Sequence, residues 1–269
     1  LWMRPIIFCL MKIISWNVNS VRARIDNVTD YIKENKPDIL LLQEIKTQNE
    51  NFPSDAFKKY GYDSYVFGQK SYNGVAILSK YPLEDVRSGL PGDDSDDQAR
   101  YIEAWVDAGS LGVRVSSIYL PNGNPVDSPK FPYKLSWMSR LKDHAMDLLS
   151  YEEPIILGGD YNVIPEDKDV YDPQAWEGDA LCMPESRGKF REIIYLGYTE
   201  AFRALNNAPE NYTFWDYQGR AFESDRGLRI DHFLLSPQAT DRLKSCKIDP
   251  TPRGWKKASD HTPVICELD

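Results

Sequence analysis

Five short apolar runs in this chain stop at, or start from, a polar cluster. Ile13-Ile14-Ser15-Trp16 ends in Asn17, and Ile39-Leu40-Leu41-Leu42 runs into Gln43-Glu44. Pro154-Ile155-Ile156-Leu157 passes through Gly158-Gly159 into Asp160-Tyr161-Asn162. Arg229-Ile230-Asp231-His232 opens Phe233-Leu234-Leu235, and Ser259-Asp260-His261 stands ahead of Thr262-Pro263-Val264-Ile265-Cys266. Short apolar runs bounded by turn signals read as strands buried on both faces. Such strands exclude any fold that leaves a sheet face bare to water. Strand ends are also where α/β sheets gather their ligand sites. Ends carrying Asn, Glu, Asp, Asn, Asp, Asp and His point to one acidic, metal-dependent active site.

Between these runs lie helical patterns. Ile25, Val28, Tyr31 and Ile32 recur at helical spacing up to Pro37. A short helix is expected to open at Phe52-Pro53-Ser54-Asp55 and run through Phe57, ending near Gly61, and a longer one over 131–150 with Leu135, Met138, Leu141, Ala145 and Leu148 on one face. Phe190, Ile193 and Ile194 suggest another, closed by Gly197. Further strands are expected at 75–78, 101–106 and 113–120, and the last third of the chain returns to strands. Residues 92–97 read as a solvated acidic loop, and 166–188 as an irregular surface loop or insertion. Strands adjacent in sequence, mixed with helices, predict an α/β fold with mixed sheets and not a regular βαβ winding.

No composition shift or linker divides the 269 residues, so one domain over 11–269 is expected. Residues 1–10 read as an extension outside the fold, because Met11-Lys12-Ile13 is the natural opening of the first strand. No stretch is apolar enough to cross a membrane. A net charge of −9 argues against holding nucleic acid by bulk positive charge, but leaves room for a nucleic-acid enzyme that acts through a bound cation and local Lys/Arg clusters. Cys9, Cys182, Cys246 and Cys266 form no CxxC pair, which points to free thiols in a reducing cytoplasm.

Taken singly, each polar residue has an ordinary explanation. A Glu just past a strand is usually solvated, and Asp-x-Asn after paired glycines also fits a structural turn. Asp231 is less easily explained, since it lies in a run that is otherwise buried, and a buried carboxylate needs a partner. Among three histidines, His144 is expected to be solvated on its helix, and His232 to face away from Asp231 by strand alternation. His261 is free to meet Asp231 from another strand end, giving a carboxylate that fixes an imidazole. The argument is joint: the ordinary explanation would have to hold at every strand end together.

These residues also carry a resemblance. Ile-Ile-Ser-Trp-Asn-Val-Asn-Ser-Val-Arg-Ala-Arg at 13–24 and Leu-Leu-Gln-Glu-Ile-Lys at 41–46 resemble the first two signatures of the exonuclease III family of abasic-site endonucleases. Tyr-Leu-Pro-Asn-Gly at 119–123, Gly-Gly-Asp-Tyr-Asn at 158–162, Asp-Arg-Gly-Leu-Arg-Ile-Asp at 225–231 and Ser-Asp-His-Thr-Pro-Val at 259–264 follow in the family's order. The resemblance implies a four-layered α/β sandwich with two mixed β-sheets flanked by helices, DNase I-like. By position it implies Glu44 as main metal ligand, with Asn17 and Asp260 close to the ion. It further implies that Asp231 orients His261 against the scissile phosphate, that Asp160 and Asn162 align the attacking water, and that Tyr119 contacts a phosphate oxygen. Phe214, Leu228 and Ile230 would form an apolar pocket for a base-less sugar, and Arg253, Lys256 and Lys257 would hold the DNA backbone.

The implied activity is cleavage of double-stranded DNA on the 5′ side of abasic sites, leaving a 3′-hydroxyl, with processing of 3′ ends. The protein would act as a monomer in the cytoplasm, without membrane. Oxygen donors without a thiolate cluster suit Mg²⁺, with Mn²⁺ the next choice. Some relatives have Asp where this chain has Asn19, which would remove a second carboxylate near the metal. Three alternatives stand beside this reading: a 3′-5′ exonuclease specialist, a phosphatase for phosphoinositide-type substrates, and a DNA-binding protein without catalysis.

Overall fold

A computed structural model describes residues 10–109 and 111–269. Residues 1–9, most of the expected extension and with them Cys9, lie outside that range. The strands are β1 (Met11–Asn17), β2 (Ile39–Gln43), β3 (Asp63–Phe67), β4 (Val75–Ser79), β5 (Leu83–Ser88) and β6 (Tyr101–Ala108). They continue with β7 (Leu111–Tyr119), β8 (Ile155–Asp160), β9 (Thr199–Glu200), β10 (Asp231–Leu235), β11 (Leu243–Ile248) and β12 (Val264–Leu268). The helices are α1 (Ile25–Asn35), α2 (Ser54–Lys58), α3 (Lys130–Leu149), α4 (Pro184–Tyr195), α5 (Ala201–Leu205) and α6 (Pro237–Thr240).

Two six-stranded sheets result, in the orders β11-β12-β1-β2-β4-β3 and β5-β6-β7-β8-β10-β9. Each is mixed: β1 runs parallel to β2 and β7 parallel to β8, while the other pairs are antiparallel. Alternation along each central strand feeds two cores. Ile13, Leu41, Ile77, Val115, Ile156 and Phe233 fill the space between the sheets. Ile14, Trp16, Leu40 and Leu42 face outward and are covered by Val28, Tyr31 and Ile32 of α1 and Phe57 of α2. On the far side, Trp137, Leu141 and Leu148 of α3 and Phe190 and Ile193 of α4 cover Ile155, Leu157 and Leu234. The order is helix, sheet, sheet, helix, the expected four layers. Each fully buried aliphatic side chain contributes roughly 1.5–3 kcal/mol, so the apolar runs are what make the layers adhere.

Two expectations are corrected here. His144 is buried, not solvated: it falls at helical spacing from Trp137 and Leu141, faces the sheet, and sets Nε2 2.7 Å from Glu103 Oε2 on β6. The 166–188 segment is not irregular throughout: a 3-10 turn forms at Asp167–Asp169, and α4 begins at Pro184. It is also not wholly superficial, because Asp169, Ala180 and Leu181 are buried. Among the described residues, no helix is long and apolar enough to cross a membrane.

Candidate active site

The ends of β1, β2, β7 and β8 and the starts of β10 and β12 converge at one edge of the sandwich. Strand register does the first part of the placement. Asp160 pairs with Tyr119 on one side and Asp231 on the other, and Asn17 pairs with Gln43, next to Glu44. Gly159, at φ 153°, is what lets β8 pass there, since a Cβ would lie 2.0 Å from the Ile118 carbonyl oxygen.

Side chains then link the sheets. Asn17 Nδ2 donates to Glu44 Oε1 and to Asp160 Oδ2, each at 2.9 Å. Asn17, expected beside an ion, therefore bridges two carboxylates. Behind it, Gln43 Nε2 donates to Ser117 Oγ at 3.0 Å and Ser117 Oγ donates to the Leu42 carbonyl at 2.9 Å. The second contact set belongs to His261. Its Nδ1 lies 2.9 Å from Asp231 Oδ2, and its Nε2 faces Asp160 Oδ2 at 3.6 Å. The Asp231–His261 pairing expected from sequence is present. His232 turns the other way, to the Val163 carbonyl and Arg229.

Electrostatics follow from burying these groups together. Burial alone would lower the His261 imidazole, but Asp231 and Asp160 overcome it and lift it to about 10. Burial and the charge of Asp231 push the Asp160 carboxyl up to about 7, against the pull of His261. Burial, with Glu44 and Asp160 nearby, keeps Tyr119 a neutral phenol far above the usual tyrosine range. Glu44 is held below the ordinary carboxylate value despite its burial, by Lys46, whose Nζ stands 3.0 Å away, and by Asn17.

The donor set fits a hard divalent cation. Ligand atoms of Glu44, Asp160 and His261 lie within 4.8 Å of one another. His261 is the poorest ligand of the three for a hard cation, because an imidazole nitrogen is a softer donor than a carboxylate oxygen and its Nδ1 is already taken by Asp231. Glu44 and Asp160 remain, with oxygen donors and a cationic group already facing Glu44. Asp260 stands outside this trio, at the pocket rim, with Oδ1 accepting from Asn19 Nδ2 at 3.1 Å.

The same cavity, about 290 Å³, has an apolar side made by Phe214, Leu228 and Ile230. Phe214 bridges to Leu228 and to His261, and its ring centroid lies 5.0 Å from the imidazole at a steep angle. Trp176, Asp179 and Leu181 bring the 166–188 segment into the wall. The basic residues divide. Lys256 and Lys257 are exposed, whereas Arg253 is half-buried: its Nη2 donates to the Trp215 carbonyl at 3.0 Å, and its guanidinium lies 5.2 Å from the rings of both Tyr217 and Phe222. Arg253 braces the Phe214–Tyr217 strip.

Asn162 also departs from expectation in detail. It sits at φ 46°, its N–H donates to Asp160 Oδ1 at 2.9 Å and its Nδ2 to the Leu120 carbonyl at 2.8 Å. It positions Asp160 first of all. Its own carbonyl accepts from Lys134 Nζ, which also donates to Asn122 and Ala180. Lys134 is fully buried and was not singled out from sequence, although a lysine at core spacing between Phe131 and Met138 was the visible signal.

The sequence matches the Endonuclease/Exonuclease/phosphatase family over residues 14–261. The chain belongs to that family. Family relatives include an exodeoxyribonuclease III from Haemophilus influenzae, 33% identical over 96% of this chain and 100% of the relative. Among solved members, an AP endonuclease from Archaeoglobus fulgidus superposes with a TM-score of 0.91 at 36% identity, covering 96% of this chain and 99% of that one. A 3′ phosphatase from Neisseria bound to a product DNA hairpin superposes with a TM-score of 0.92 at 40% identity, over 96% and 99% of the two chains.

Proposed function

We propose that this protein is a Mg²⁺-dependent DNA-repair nuclease that cuts the phosphodiester 5′ to an abasic site. One observation carries the reading: Asp160 and His261, the latter held by Asp231, line the same cavity as the apolar face of Phe214, Leu228 and Ile230. A phosphatase or nuclease core needs the first, whereas a flipped sugar without a base needs the second. The catalytic domain is 11–269, acting as a monomer in the cytoplasm. Free Cys182, Cys246 and Cys266 support a reducing compartment.

Glu44 would hold the cation, which would supply positive charge to the phosphate oxygens. The protein's own groups account for the remaining steps. Asp160, tuned to about 7 and aimed by Asn17 and Asn162, accepts a proton from the attacking water. His261, cationic and fixed by Asp231, donates to a non-bridging oxygen where charge builds. Tyr119, a neutral phenol, offers a second donor. Water adds to phosphorus, the P–O3′ bond breaks, and the departing 3′-oxygen takes a proton from solvent. The products are a 3′-hydroxyl and a 5′-phosphate on the abasic nucleotide.

The kinship with a 3′ phosphatase favours a second activity on 3′ ends, where the same cavity receives a terminal sugar. A labelled duplex with one stable abasic analogue, incubated with Mg²⁺ or EDTA beside an intact duplex, tests both. A single Mg²⁺-dependent cut 5′ to the lesion is expected. Progressive 3′ shortening without that cut would make the protein an end-processing enzyme. No cleavage of either DNA would overturn the nuclease reading.

A further inference from the structure

A second cavity, of about 300 Å³, adjoins the catalytic one, and the two share Asn122 and Asn124. Only the turn after β7 separates them. Their charge differs in sign. The catalytic cavity is lined by the carboxylates of Glu44, Asp160, Asp179, Asp216 and Asp260. The second holds Arg100 and Lys130 with amides and Tyr133, and no carboxylate among its lining residues. In a chain of net charge −9 such a wall calls for explanation. Two acids touch its lining and both are engaged: Asp96 by Arg140 and the Tyr133 hydroxyl at 3.1 Å, and Asp179 by Asn124 Nδ2 at 3.1 Å.

Arg100 is held ready and not used up. Its Nε donates to Gln98 Oε1 at 2.8 Å and its Nη1 to the Tyr119 carbonyl at 3.3 Å, and its guanidinium lies 4.9 Å from the Tyr119 ring centroid. Nη2 makes no hydrogen bond to the described residues. Lys130, at the start of α3, is exposed. A planar cation fixed against an aromatic ring, with a mobile ammonium opposite, suits a phosphodiester anion. Such a site beside the catalytic cavity meets a backbone phosphate next to the scissile one.

We propose that Arg100 and Lys130 form a phosphate subsite for the DNA strand being cut, so that the enzyme grips a phosphodiester adjoining the one it hydrolyses. The proposal rests on the nuclease reading above. Contacts of this kind position the strand without reading sequence. They also explain how an acidic protein keeps hold of a polyanion.

The test is a charge-neutralisation scan. Abasic duplexes carry a single uncharged methylphosphonate at each position flanking the lesion in turn, and kcat and KM are measured with Mg²⁺. With wild type, one flanking position is expected to raise KM about tenfold with kcat retained. In Arg100→Gln/Lys130→Gln the same position should have no further effect, while every other position keeps its effect. The slope of log KM against log salt should fall by about one. Lys130→Gln alone, which touches nothing at Tyr119, should show a smaller effect at that same position. If the double variant stays sensitive at every position, or loses kcat with KM unchanged, the subsite is refuted. Wild-type cleavage of the unmodified duplex separates the two failures: without it the nuclease reading falls, and the subsite with it.

Discussion

Replacing Asp231 with Asn should separate catalysis from stability. The substitution keeps size and shape but removes the charge opposite His261, whose Nδ1 is 2.9 Å from Oδ2. A hydrogen bond between ionised partners is worth roughly 1.5–3 kcal/mol, or about 10- to 150-fold in rate if the imidazolium matters most in the transition state. The folded state has less to lose. Asp231 Oδ1 is buried without a hydrogen-bond partner among the described residues, and the Asp231 charge pushes Asp160 upward through repulsion. Neutralising it relieves that repulsion, which offsets part of the support lost beside the buried imidazole, so the melting temperature should fall by less than about 10 °C, the range expected for ~2–3 kcal/mol in a chain of this size. Single-turnover cleavage of an abasic duplex at saturating enzyme should slow by about 10- to 150-fold. Because Asp231 is a main support of the imidazolium, its loss should also move the alkaline fall in rate toward neutral pH. A rate within threefold of wild type would refute the reasoning. So would a lost rate accompanied by a melting temperature lower by 10 °C or more, since Asp231 would then be structural.

Lys134→Met tests the buried brace beneath the site. Burial pushes the Lys134 ammonium down to about 7, so as pH falls from the ordinary 10.5 the unfolded chain takes up the proton first and wild type loses stability across that window, by roughly 5 kcal/mol at most. Urea midpoints from pH 6.5 to 10 should therefore rise more steeply in wild type than in the variant, and parallel curves would sink the idea. Cleavage should drop about tenfold, since the carbonyls of Asn162, Asn122 and Ala180 lose their shared donor. Glu200→Gln probes the opposite sign. Burial opposes ionisation of Glu200, yet Arg229 and His232 hold it at about 2. Its contribution, roughly 3 kcal/mol, is present above about 4.5 and disappears as pH falls toward 2. The stability gap between wild type and variant should close over that acid window; a gap that stays constant would contradict it.

The legibility of the fold in the sequence followed strand position. Apolar runs marked β1, β2, β4, β7, β8, β10 and β12, and alternation marked β6, all of them interior strands. The strands not individually placed, β3, β5, β9 and β11, are the four sheet edges. An edge strand such as Leu83–Ser88 buries little, carries charge to discourage further pairing, and so shows no hydrophobic run. At the site, residue types and strand ends were enough to bring together Glu44, Asp160, Asp231 and His261. Orientation was beyond the sequence. Nothing in it showed that Asn17 would turn its amide nitrogen to two carboxylates, or that Arg253 would bond the Trp215 carbonyl and lie against Tyr217 and Phe222. Lys134 was overlooked because a lysine is ordinarily assigned to water, and only three converging carbonyls make burial tolerable.

The amide of Asn17 reaches across from one sheet to the other, since Asn17 and Glu44 belong to the sheet containing β1 and β2, while Asp160 and Asp231 belong to the sheet containing β8 and β10. Neither sheet alone carries the chemistry. A nascent chain, or one partly unfolded by heat, that has formed a single sheet holds half a set of acids and no competent site. A nuclease built this way stays harmless until it is complete, and a slippage of about an ångström between the layers disarms it before the polypeptide comes apart.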